Sequence, residues 1–362
     1  MMMCVPRLPT KCSIGSAVKQ MKILNHHSSG RSADLRHSAA LILIVMVSIG
    51  SQPAMAQWLS AERWLMGTEV KVELLAEGRE DGPKVLEDAL AVMQDVDWMM
   101  NPLNPDSAIY QVNQDAATQP VVVPAAMFQV VERALYYSRL SEGAFDISFG
   151  AVGRLYDYRA GNAPSDADLA ASLPGVSYRD IHTDAAAGSI SFSRPGMYID
   201  LGGIAKGFAV DQAIEVLQRA GITSGFASAG GDSRILGSHG DRPRMIGIRH
   251  PRKDGEFAVM IPLSDTAIST SGDYERFFVD GELRFHHILD PGTGRSVNGV
   301  QSVSILTTLA VDSDALSTTV FVLGVRRGLA LVDSLPAADA IIIDDKGQLH
   351  YSQGLLRKSS AR

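Results

Sequence analysis

Apolar residues recur along this chain at two spacings. Glu69 to Leu74 alternates Val70, Val72 and Leu74 with charged neighbours, the period-2 signature of a half-buried strand. Lys84 to Met99 places Leu86, Ala89, Leu90, Met93 and Val96 on one stripe, and Met127 to Leu140 does so with Phe128, Val131, Ala134 and Leu135, so both read as amphipathic helices. Strand-like runs follow at Gly196–Leu201, Gly225–Ala229, Arg244–Ile248, Phe257–Ile261, Leu283–Leu289, Gln301–Leu306 and Ala338–Ile343, with helical patterns at Ile204–Arg219 and Asp314–Leu323. Strands at hairpin spacing mixed with helices predict an α+β fold of mixed, largely antiparallel sheets with packed helices.

One segment departs from both spacings. A basic stretch from Arg31 to Arg36 precedes an unbroken apolar run, Ala39 to Val47, and then Ala54-Met55-Ala56. A basic flank, a short apolar run and an Ala-x-Ala site predict a signal peptide over residues 1–56, cleaved after Ala56. The run is too short to span about 30 Å of hydrocarbon. Residues 57–362 contain no repeat, low-complexity tract or long linker and read as one domain.

This division changes the meaning of the composition. The 362 residues carry 33 Lys+Arg against 40 Asp+Glu, a net charge of −7, and two cysteines, Cys4 and Cys12. The first 56 residues hold six of the basic residues, one of the acidic ones and both cysteines, which leaves 27 basic and 39 acidic residues, a net of −12, and no cysteine. An acidic chain lacks the basic face that nucleic-acid binding requires. Thiol chemistry and cysteine-ligated metals are excluded as well.

Four segments carry candidate chemistry. In Asp200-Leu201-Gly202-Gly203-Ile204-Ala205-Lys206-Gly207 a β-run ends in a Gly pair and passes into an amphipathic helix. Such a turn presents backbone N–H groups and a positive dipole end to phosphate, or is simply a tight turn that needs glycine. A second pair, Gly230-Gly231 before Asp232, allows close backbone approach to a ligand or forms a bulge. In Asp312-Ser313-Asp314-Ala315-Leu316-Ser317-Thr318, Asp314 and Thr318 lie one helical turn apart on one face. Their oxygens suit a hard cation such as Mg²⁺, and an acid-rich first turn also suits capping. His286 and His287 fall inside one expected strand and point to opposite faces, so one can act as a general base while the other is exposed or structural. Asp290-Pro291-Gly292-Thr293-Gly294 reads as a turn.

Taken together and in this order, these segments resemble the ApbE family of FAD:protein FMN transferases, which attach FMN to threonine or serine of acceptor proteins. The resemblance also takes in Met66-Gly67-Thr68, Asn104-Pro105-Asp106-Ser107, Gly143-Ala144-Phe145-Asp146 and Ser271-Gly272-Asp273-Tyr274, and covers about Met66 to Gly324. It implies an ApbE-like (T-fold-like) architecture with a flavin cleft between sheet layers, and FAD as substrate. Met66, Ala144, Phe145 and Asp146 would line the FAD site, with the backbone near Ile288 completing it. The Asp200–Gly207 turn, with Gly203, would hold the pyrophosphate beside Lys206. Asp314 and Thr318 would hold Mg²⁺, with Ser317 close by and the Ala205 carbonyl reaching the metal. His287 would be the base, with Asp290 as its orienting partner. Leu103 stands where family members often carry an aromatic against the flavin, and Gly292 replaces a larger, often basic, residue. The resemblance further implies an exported protein, periplasmic or held at the inner membrane, whose acceptor is a respiratory or electron-transfer subunit. Hydrolysis of FAD to FMN and AMP, or FAD binding without catalysis, would use the same residues.

Overall fold

The computed structural model describes residues 57–360, apart from 241 and 282, so the expected signal peptide lies outside the described residues. Eight antiparallel strands form the main sheet. Their order across it is Trp58–Leu65, Thr68–Leu75, Gly225–Ala229, Asp232–Leu236, Ala267–Gly272, Val300–Thr307, Asp339–Asp344 and Leu349–Tyr351. The alternation read at Val70, Val72 and Leu74 is a true facing pattern, since all three are fully buried against the helices. Val300–Thr307 is buried along its whole length, because one face meets the helical layer and the other meets a smaller apolar cluster with Ile235, Ile268, Leu306 and Ile341. A run buried on both faces reads as continuously apolar.

Helices Gly82–Met100, Ala205–Arg219 and Ala310–Asp333 cover the inner face of the sheet. Between the second and third strands of the sheet, the chain makes an excursion through helices and a three-stranded sheet of Val121–Val122, Ser189–Phe192 and Ile181–Asp184. The expected α+β class, with largely antiparallel sheets, is the one observed.

Three expectations change. Gly196–Leu201 is extended but joins no sheet, since its backbone is held by other means: Ile199 N–H donates to the Asn113 side-chain oxygen (2.7 Å) and Asp200 N–H to the Ile147 carbonyl (2.8 Å). The expected strand Leu283–Leu289 stops at His286, and Leu289–Asp290 begins a separate short pair. The expected Asp314–Leu323 helix starts earlier, at Ala310, and continues to Asp333 past a break at Gly324, where φ is 72°.

The early start of this long helix has a cause outside its own sequence. Asp211, on the Ala205–Arg219 helix, accepts from the N–H groups of Ala310 and Val311, both at 2.9 Å, and pairs with Arg234 at 2.8 Å. Two of the orphan donors of a helix start are thereby satisfied by a carboxylate about 100 residues away. The two helices touch at their first turns. A Cβ on Gly207 would collide with the Ala310 carbonyl.

Replacing Asp211 with alanine would leave a buried guanidinium and two helix-terminal N–H groups unpaired. We expect Asp211→Ala to cost about 3–5 kcal/mol of stability and Asp211→Asn distinctly less, measured by urea unfolding. A loss under about 1 kcal/mol for Asp211→Ala would show that this contact does not fix the helix pair.

Candidate active site

The Gly202-Gly203 turn leads into the Ala205–Arg219 helix and is shaped by Asp200, whose Oδ1 accepts from Gly202 N–H at 2.7 Å. Burial pushes the Asp200 carboxyl up, against the Gly202 N–H and the Arg276 charge. Gly203 packs against Thr318: a Cβ there would lie 3.4 Å from Oγ1 and 3.2 Å from the Phe145 ring.

Lys206 and Asp314 meet one residue on. Asp314 accepts from Gly207 N–H at 2.9 Å, so it caps the Ala205–Arg219 helix as Asp211 caps its partner. The Lys206 ammonium lies 2.7 Å from Asp232 Oδ2 and 3.4 Å from Asp314 Oδ1, with both carboxylates almost wholly enclosed. Burial alone would push the lysine down, but the two carboxylates reverse this and hold it charged. Burial and the Asp232 charge push the Asp314 carboxyl up to about 7 despite Lys206 and the Gly207 N–H.

Two buried carboxylates against one ammonium leave this pocket one positive charge short. Among the described residues no three His, Cys, Asp or Glu side chains converge on a metal position. Asp314 and Thr318 stand one turn apart on one helix, and Gly203 packs against Thr318. Hard oxygen donors with few carboxylates suit Mg²⁺, which keeps waters and shares substrate phosphates. Residues present and charge missing both fit that ion.

Ala205 and Ser317 are the other two residues expected at the metal. Ala205 opens its helix two residues after Gly203 and is buried. Ser317 donates to the Asp314 carbonyl at 2.9 Å and meets Ser271 Oγ at 2.8 Å, which ties the helix to the Ala267–Gly272 strand. Its hydroxyl is a structural tie.

The histidines separate cleanly. His286 is buried, with Nε2 2.7 Å from the Val297 carbonyl and Nδ1 accepting from Ile288 N–H at 3.3 Å, so it fixes the loop that follows. His287 lies just past the strand, its backbone N–H donating to the Arg276 carbonyl at 3.1 Å. Its Nδ1 is enclosed without a partner. Burial, then the charges of Arg276, His286 and Lys206, push the imidazole down to about 3, so it is neutral at physiological pH. Asp290 does not orient it. Asp290 Oδ1 accepts from Gly292 N–H at 2.9 Å and its carbonyl from Thr293 and Gly294, a turn closed on itself.

Of the residues expected to line the flavin, Met66 sits in a two-residue hairpin turn with Gly67, both at positive φ (52° and 69°), and Gly67 packs on the Arg276 guanidinium. Phe145 is buried beside Gly203, and Ala144 leads into it through a turn held by Ser141. Asp146 is a prop: its oxygens accept from Ser148 N–H (2.9 Å), Ser148 Oγ (2.6 Å) and Tyr178 N–H (2.8 Å). The Ile288 backbone is committed too, its carbonyl accepting from Val297 N–H. Leu103 is 84% exposed, on a loop tied to the site through Tyr198 OH and the Pro102 carbonyl.

Residues not singled out by sequence also belong here. Asp232 follows the second Gly pair and carries the ion pair to Lys206, and Arg276 links Gly67, Asp200 and His287. The Gly-Gly-Asp run was a usable signal for the first; an arginine in a polar loop gave none.

The arrangement gathers two buried carboxylates, two cationic side chains and a neutral imidazole around a glycine turn. Similarity to known proteins covers the segments that build it. The ApbE family profile matches residues 66–342. An FAD:protein FMN transferase of Treponema pallidum is 33% identical over 289 residues, covering 75% of this chain and 80% of that protein. One from Vibrio cholerae is 30% identical over 318 residues, covering 84% and 93%. Among solved structures, the ApbE protein from Thermotoga maritima superposes with a TM-score of 0.77 at 30% identity, covering 83% of this chain and 99% of that one. The flavin transferase ApbE from Vibrio cholerae gives 0.76 at 28% identity, covering 84% and 99%. With the profile spanning the whole site from Met66 to beyond Thr318, this chain belongs to the ApbE family.

Proposed function

We propose that this protein transfers FMN from FAD to a threonine or serine hydroxyl of an acceptor protein and releases AMP. The observation that carries this reading is the meeting of the Gly202-Gly203 turn, Lys206, Asp314 and Thr318 at a charge-deficient pocket, with a neutral His287 nearby. The relatives named above, FAD:protein FMN transferases, support it.

In this reaction the acceptor oxygen forms a bond to the FMN-side phosphorus of FAD. The bond from that phosphorus to the bridging oxygen breaks, and its electron pair leaves with AMP. Asp314 and Thr318, with the Ala205 carbonyl, would hold Mg²⁺, which would offset the pyrophosphate charge that repels the nucleophile. Lys206 and Arg276 add fixed positive charge. The hydroxyl proton passes to Nε2 of His287, the ring nitrogen that is not enclosed. Burial keeps that imidazole unprotonated at neutral pH, so Nε2 has a free lone pair. We place the protein in the periplasm, free or held at the inner membrane, on the strength of the Ala39–Val47 run and the Ala54-Met55-Ala56 site. Its acceptor is a respiratory or electron-transfer subunit.

Incubation with FAD, Mg²⁺ and a threonine-containing acceptor tests the reading through acceptor mass and free AMP. A mass gain with AMP identifies the transferase, AMP with free FMN a hydrolase, and neither a flavin binder. Asp314→Asn keeps an acceptor for Gly207 N–H but loses the charge, so Mg²⁺-dependent transfer should fall at least about 10²-fold with the fold retained by circular dichroism. An unchanged rate would remove the metal assignment.

His287→Ala should slow transfer about 10²–10⁴-fold and leave FAD binding intact; loss of FAD binding would make it a binding residue. Its burial also sets a stability trend. The unfolded imidazole protonates near 6.5 and the folded one near 3, so stability drops as pH falls through that window and is level below it. His287→Gln should lose less stability than wild type between pH 7 and 4 by urea unfolding. Parallel losses would mean that the ring is solvated.

A further inference from the structure

We propose that Asp232 is a positioning residue for the cation site: it anchors the Lys206 ammonium and so leaves the Asp314 carboxylate open to a divalent cation. The inference rests on the metal reading above and extends it to a residue with no assigned role.

The placement of Asp232 follows from the sheet. It opens the Asp232–Leu236 strand immediately after Gly230-Gly231 and pairs with Ala229 on one side and Ser269 on the other. Opposed residues in an antiparallel pair share a face. Ser269 bonds Ser313 of the long helix at 2.8 Å, so Asp232 also faces the helices. Its side chain is 3% exposed and meets Lys206 Nζ at 2.7 Å.

Lys206 has a choice of partners. Its ammonium lies 3.4 and 3.5 Å from the two Asp314 oxygens, both long for a charge-assisted hydrogen bond, and closer to Asp232 than to either. A lysine carries its charge on a flexible four-carbon stem and follows the better anion. With Asp232 neutralised, Asp314 is the one buried carboxylate left beside Lys206 among the described residues. The ammonium then closes on Asp314 and competes with the metal for the same oxygens. Asp232 therefore keeps two cations apart by giving each its own carboxylate.

The test is cation binding without FAD, with Mn²⁺ as the probe and electron paramagnetic resonance as the readout. Asp232→Asn should weaken Mn²⁺ binding about tenfold or more. Lys206→Met should bind as tightly as wild type or more tightly, because it removes the competing charge. In the Lys206→Met background Asp232→Asn should cost less than about threefold, since no ammonium remains to be released. A purely structural role for Asp232 would not be rescued by removing the lysine. Equal losses in both backgrounds would make Asp232 a ligand or a remote charge and overturn the proposal, as would no loss in either. If Asp314→Asn leaves Mn²⁺ binding unchanged, the metal reading itself fails and takes this inference with it, an outcome distinct from a silent Asp232→Asn.

Discussion

The site depends on two helices that cap each other. Asp211 on the Ala205–Arg219 helix receives the first N–H groups of the Ala310–Asp333 helix, and Asp314 on the latter receives Gly207 N–H from the first turn of the former. Each carboxylate meets a positive helix end, where negative charge is most stabilised. Glycine at 207 is what lets the two first turns approach this closely. Thr318 stands one turn beyond Asp314, and Gly203 stands just before the other helix, so the same crossing brings both to one point. The pairing of the helices and the placing of Thr318 against Gly203 come from a single contact.

This contact also explains an apparent excess of negative charge. Asp200, Asp211 and Asp314 all have carboxyls pushed up by burial, opposed by backbone N–H groups and cationic neighbours. At Asp211 the account balances, because Arg234 matches it at 2.8 Å. At Asp314 it does not, because Asp232 takes the nearer share of Lys206. One carboxylate of the pair of helix caps is therefore matched within the fold, and the other shares its cation with a second carboxylate. The two start from equivalent positions in the fold and differ only in the company that the strands supply.

Much of this was legible in the sequence. The alternation at Val70, Val72 and Leu74, the helical stripes and the Gly202-Gly203 turn are local patterns, and local patterns determine local structure. Asp314 and Thr318 could be paired by spacing alone. What escaped was non-local. The start of the long helix depends on Asp211, which no window around Ala310 contains. Gly196–Leu201 has strand composition, but Asn113 takes the backbone position that a neighbouring strand would occupy. The packing of Gly203 against Thr318 joins residues more than 100 positions apart, and no local pattern carries it.

The neighbouring histidines show how little of a residue's role resides in its type. Strand alternation predicts that His286 and His287 face opposite ways, and it assumes a continuous strand. The strand ends at His286 instead, because that ring bridges the Val297 carbonyl and the Ile288 N–H and bends the chain into the next short pair. Both of its nitrogens are then engaged, and it has no proton to exchange at a cleft. His287 is placed by this bend. Its backbone is tied to Arg276, and that arginine's charge, with Lys206, adds to burial in keeping the imidazole neutral. Burial does most of this, and the cations around the glycine turn act in the same direction. The state of the ring is thus set by its place in the fold.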